Sequence, residues 1–133
     1  MEMKINLKKR KREFPTGLKK LEIIKDCGSV YLNKNEMITF KSKNKNFEYD
    51  VVKKKWGYYA TPSLNVRLKN KGYKSILVKN RITKRYFVFL QEIGMEKELK
   101  KYMEQESLEI ICRLDEIKNL KKIEFFFGKS NEK

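Results

Sequence analysis

With 133 residues, 40% of them apolar and 38% charged, the chain has room for one domain with one modest core and carries a formal net charge of +16. It contains no histidine, which removes the Ser-His and Cys-His nucleophile designs, and its two cysteines, Cys27 and Cys112, are too few for a single-chain zinc site. No apolar run reaches the roughly 18 residues needed to cross a bilayer, and no apolar stretch follows the charged N-terminus as in a secretory signal, so a cytoplasmic protein with reduced thiols and no membrane partner is expected.

Residues 1–20 read as a basic arm, free to flex, ahead of a single domain over 21–133. Lys8-Lys9-Arg10-Lys11-Arg12 is a run of like charges that resists burial, and Pro15-Thr16-Gly17 is a turn signal. Short apolar stretches at 21–24, 30–32, 37–40 and 47–52, separated by turn-forming residues, predict antiparallel strands and hairpins. Trp56-Gly57-Tyr58-Tyr59-Ala60 predicts a further strand. Thr61-Pro62 then predicts a helix start, with Thr61 as cap and Pro62 in the first turn. Leu64, Val66 and Leu68 line that helix and Gly72 ends it. Strands follow at 75–78 and 85–90 around a turn at 80–84. An amphipathic helix over 95–106 presents Met95, Leu99, Tyr102 and Met103. A strand at 108–112, a short helix at 115–123 and the apolar end Phe125-Phe126-Phe127 complete the chain. The order across about 56–114 is β-α-β-β-α-β. The expected class is therefore α+β, a ferredoxin-like βαββαβ unit preceded by antiparallel β-strands.

The charge is unevenly spread. Residues 1–60 hold 16 basic and 7 acidic side chains, residues 61–90 hold 8 basic and none acidic, and residues 91–133 hold 9 and 10. An AT-rich coding sequence accounts for 27 lysines against 6 arginines, but it does not account for the missing acids across 61–90. A directed positive field points to a polyanion.

Three constellations bear on chemistry. The first is aromatic and basic. In a ferredoxin-like sheet, the strand with Trp56, Tyr58 and Tyr59 lies beside the strand with Tyr86, Phe87 and Phe89. Phe87 and Phe89, flanked by Lys84 and Arg85, would then offer a stacking platform for single-stranded bases. The alternative is that these rings fill the core. The second is the predicted helix start, where Thr61, Ser63, Asn65 and Arg67 form a candidate anion pocket. The third is the carboxylates Glu48 with Asp50 and Asp115 with Glu116. These lack any acid–base or metal-binding spacing, so no catalytic residue, metal ligand or cofactor is assigned.

The block Trp56-Gly57-Tyr58-Tyr59-Ala60-Thr61-Pro62-Ser63-Leu64-Asn65, with Arg67-Leu68, Gly72 and Leu77-Val78-Lys79-Asn80, resembles a group of short bacterial proteins of no established activity. The resemblance covers about residues 37–116 and implies no catalytic residues.

The function expected from the residues is a nucleic-acid-binding module for RNA or single strands. Its contacts would come from Lys8, Lys9, Arg10, Lys11, Arg12, Lys84, Arg85, Phe87 and Phe89. The alternatives are a regulatory domain binding a phosphorylated or acidic small molecule, and a subunit docking on an acidic protein.

Overall fold

The computed structural model describes residues 3–43 and 45–128. It is α+β, with eight strands and three helices among the described residues, and every strand pair whose register is defined is antiparallel. The chain divides into two compact units, Met1–Phe40 with Asp50–Thr61, and Lys41–Tyr49 with Pro62–Lys133.

The first unit opens with a hairpin. Strand β1 (Lys4–Thr16) pairs with β2 (Glu22–Tyr31). The segment expected as an arm is thus a strand for most of its length. Ile5, Leu7 and Phe14 alternate with polar residues well enough to enter a ladder, and Gly17, at φ 90°, helps turn the chain into β2. Cys27-Gly28, which the sequence suggests as a break, lies inside β2. Gly28 has φ 142°, and a Cβ there would overlap the Asn6 carbonyl oxygen, so the close ladder at this point depends on glycine.

Strands β3 (Met37–Lys41), β4 (Glu48–Lys54) and β5 (Gly57–Ala60) form a second sheet in that order. Lys54 pairs with Gly57 across a turn of only Lys55 and Trp56, so β5 takes the preceding strand as its partner. Gly57, at φ 145°, permits the turn.

The second unit holds β6 (Tyr73–Asn80), β7 (Tyr86–Glu92) and β8 (Leu108–Arg113) in the order β7-β6-β8. Three helices accompany them: α1 (Arg67–Asn70), α2 (Glu96–Gln105) and α3 (Ile117–Phe127). The strand pairing departs from the ferredoxin-like order expected over 56–114. The tight β4–β5 turn places β5 in another sheet, so β6 is the centre of a three-stranded sheet and β7 is an edge.

Registered partners share a sheet face. Ile76, Val78, Phe89 and Leu108 therefore lie on the face that α2 covers. Ile76, Val78, Met103 and Leu108 form the core, with Phe89, Leu99 and Tyr102 packed against it. The stripe of α2 matches its 3.6-residue period, except that Met95 is the N-cap and stays exposed. On the opposite face, Phe47 and Tyr49 meet the Tyr73 ring edge-on at 5.9 and 6.1 Å. Gly72 follows α1 with φ 102°, and a Cβ there would fall within the Phe47 ring. Helix α3 runs through Phe127, beyond the expected end at 123. Ile117, Leu120, Ile123 and Phe127 continue one stripe, and none of its residues is buried.

Candidate functional site

The basic run sits on β1 at an irregularity in the ladder. Leu7 faces Gly28, but the next registered pair is Arg12 with Asp26. Four residues, Lys8 to Lys11, therefore oppose Cys27 alone, which forces the strand outward. Asp26 answers the two flanks of this bulge. Lys8 Nζ donates to Asp26 Oδ2 at 2.6 Å, and Arg12 lies 3.5 Å from the same oxygen. Lys9, Arg10 and Lys11 are exposed, and none has a carboxylate within ion-pairing distance among the described residues. The local structure thus presents three adjacent unneutralised cations, two of them lysines and one an arginine fork.

Asp26 holds this arrangement. The Lys8 hydrogen bond, and then the Gly28 N–H bonded to Oδ1 at 3.2 Å, keep its pKa below the ordinary value of 3.8. A lowered folded-state pKa contributes stability fully above the unfolded value and loses it as pH falls through the folded value. Amide-exchange protection of the β1–β2 ladder should therefore weaken below about pH 4. In Asp26→Asn it should already be weakened at neutral pH, because the charged partner of Lys8 and Arg12 is gone.

The first unit also displays rings. Trp56 is 73% exposed and stacks on Tyr59 with centroids 6.1 Å apart and planes at 26°. Lys53 Nζ lies 5.1 Å above the exposed Tyr58 ring, and Lys55 is exposed beside Trp56. These rings and lysines share the β4–β5 hairpin. Their aromatic character is plain in the sequence, but a ferredoxin-like order would set this strand beside Tyr86–Phe89 and make Phe87 and Phe89 the platform.

The structure redistributes that second platform. Phe89 is half-buried, packs against the core and lies 6.2 Å from the Tyr102 ring, so it is not an open stacking surface. Phe87 shares its face, 6.5 Å away, and is 46% exposed. Lys84 and Arg85 lie on the exposed β6–β7 turn with Arg81. Asn80 organises that turn: its Oδ1 accepts from the N–H groups of Ile82 and Thr83 at 2.9 and 3.0 Å, while its Nδ2 donates to the Glu106 carbonyl at 3.1 Å. Lys84 adopts φ 63°, closing the loop with its N–H on the Asn80 carbonyl at 2.9 Å.

No protein-family model, curated protein or solved structure matches this chain.

The expected anion pocket takes a different form. Helix α1 begins at Arg67, not Pro62, and spans four residues with no side-chain cap. Ser63 Oγ accepts from the Arg67 N–H at 3.1 Å, so this backbone N–H is turned to the serine and not to an anion. So short a helix has little dipole to offer. Thr61 belongs to the first unit and Ser63, Asn65 and Arg67 to the second, all three of these exposed. The carboxylates are engaged separately. Asp50 accepts from Thr39 at 2.5 Å, Glu48 lies 3.4 Å from Lys71, and buried Asp115 lies 3.6 Å from Lys69. Among the described residues, no group of three Asp, Glu, Cys or His side chains could hold a metal ion, and no helix is long and apolar enough to cross a membrane.

Proposed function

We propose that this chain binds nucleic acid, preferring RNA or another single strand, through the first unit. The observation that carries the reading is the β1 bulge, which exposes Lys9, Arg10 and Lys11 without carboxylate partners. Unneutralised cations on a strand suit phosphates spaced along a backbone, and releasing condensed counterions supplies the affinity. The open Trp56–Tyr59 stack supports a single strand over a duplex, since unpaired bases can lie on an exposed ring and paired ones cannot. Lys53 and Lys55 on the same hairpin supply charge beside the rings.

The test is a salt titration of a triple variant, Lys9→Ser with Arg10→Ser and Lys11→Ser. With three cations no longer facing phosphates, the slope of log affinity against log salt should become shallower by about 2, from roughly 0.7 per phosphate neutralised on a single strand. The melting temperature should hardly change, because the three side chains are exposed. An unchanged slope would remove the bulge from the interface.

A further inference from the structure

We propose that β7 pairs with β7 of a second copy of this chain, antiparallel across a two-fold axis, joining the two β7-β6-β8 sheets edge to edge. This is independent of the nucleic-acid reading, whose basic bulge lies in the other unit.

The sheet has two edges, and the sequence treats them differently. An edge strand turns alternate N–H and C=O groups outward, ready to pair with any strand beside it, and proteins blunt such edges with charge, proline or a bulge. Strand β8 carries two of these devices. Glu109 and Arg113 put charge on it, and its register with β6 slips between Ile110 and Cys112. Strand β7 carries charge only at its last residue, Glu92, and neither proline nor a bulge. Tyr86-Phe87-Val88-Phe89-Leu90-Gln91 has no charge and no proline. Its register with β6 runs unbroken from Lys79↔Tyr86 to Tyr73↔Glu92. Tyr86, Val88 and Leu90 share one face and are 57%, 62% and 38% exposed. An exposed apolar strand without protection is what an interface strand needs and what a free edge avoids.

Charge selects the occupant. Arg81, Lys84 and Arg85 precede β7 with no acid among them, while Glu92 ends it and Glu96 and Glu98 follow, with Lys97 between them and Lys74 3.8 Å from Glu96. An antiparallel copy sets the basic end of each strand beside the acidic end of the other, twice by symmetry. A parallel copy would set like charges together, which is unfavourable. Glu92 is held in place by the Ser42 hydroxyl at 2.6 Å and by Lys45 at 3.2 Å, which answers part of its charge within the chain and leaves lone pairs able to accept from a partner's arginine. The same pairing brings Val88 and Leu90 of one copy against those of the other, burying apolar surface that is otherwise wet. A two-fold interface requires a self-complementary patch, and β7 with its two charged ends is one.

Sedimentation equilibrium on full-length, nuclease-treated protein tests the proposal. Wild type should show a dimer whose dissociation depends on concentration. Val88→Lys puts an ammonium on the pairing edge and should raise the dissociation constant by roughly tenfold or more. Arg85→Glu reverses one charged end and should weaken the dimer in a salt-dependent way. It lies on an exposed turn, so it keeps the test usable if Val88→Lys does not fold. A monomeric wild type up to roughly 200 µM, a concentration that detects all but millimolar affinities, overturns the proposal. So does a dimer indifferent to both substitutions.

Discussion

Ile76→Ala should be the most damaging single substitution in the second unit, costing about 3–4 kcal/mol and lowering the melting temperature by roughly 10 °C. Ile76 is fully buried on the central strand, with β7 on one side and β8 on the other. Removing its outer carbons loses their transfer free energy and leaves a cavity beside Val78, Met103 and Leu108, residues fixed by two strands and a helix. The small size of this core concentrates the effect, since few other buried side chains can relax into the space. Thermal unfolding followed by far-ultraviolet circular dichroism measures it. A loss below about 1 kcal/mol, the range of a surface change, would mean that Ile76 is not central to the packing.

Trp56→Ala and Phe89→Ala should separate binding from stability. Trp56 is mostly exposed and rests on one ring, Tyr59. Its removal should weaken binding to a single-stranded oligonucleotide by about 1–3 kcal/mol, the worth of one stacked base, and cost less than about 1 kcal/mol of stability. Phe89 packs against the core and the Tyr102 ring. Its replacement should cost about 3 kcal/mol of stability and leave the affinity of the remaining folded protein nearly unchanged. Fluorescence anisotropy and thermal melting on the two variants give both quantities. Equal binding losses would show that the rings of the second unit also touch the nucleic acid.

The secondary structure was legible where the period was clean. The stripe Leu99, Tyr102 and Met103 marks α2, and the apolar stretches at 75–78, 85–90 and 108–112 mark β6, β7 and β8. Pairing was less legible, because alternation gives the faces of a strand and not its neighbour. The two-residue turn between Lys54 and Gly57 decides that β5 joins β4, and a ferredoxin-like sheet cannot form with that strand taken. Thr61-Pro62 has the composition of a helix start. Yet Thr61 N–H bonds the Asp50 carbonyl at 3.0 Å, continuing the ladder, and the helix waits until Arg67. The charge run at 8–12 was legible as a basic feature but not as part of a strand. Like charges argue against burial, but an exposed hairpin does not bury them. The bulge that aims Lys9, Arg10 and Lys11 depends on Gly28 and Asp26 across the ladder, a long-range relation that no local pattern encodes. Phe87 and Phe89 look alike in sequence; only the packing of α2 over the sheet distinguishes them.

The most direct measurement is the affinity of the wild-type protein for a labelled single-stranded RNA of about 12 nucleotides, the length scale of a single-strand site, across a salt series. Binding should be detectable at about 50 mM salt, and log affinity should fall linearly with log salt with a slope steeper than about −2, as expected when three or more phosphates are neutralised. A duplex of the same sequence should bind more weakly, because its bases cannot reach the Trp56–Tyr59 stack. No binding at low salt, or binding indifferent to salt, would contradict a nucleic-acid role for the exposed cations of β1.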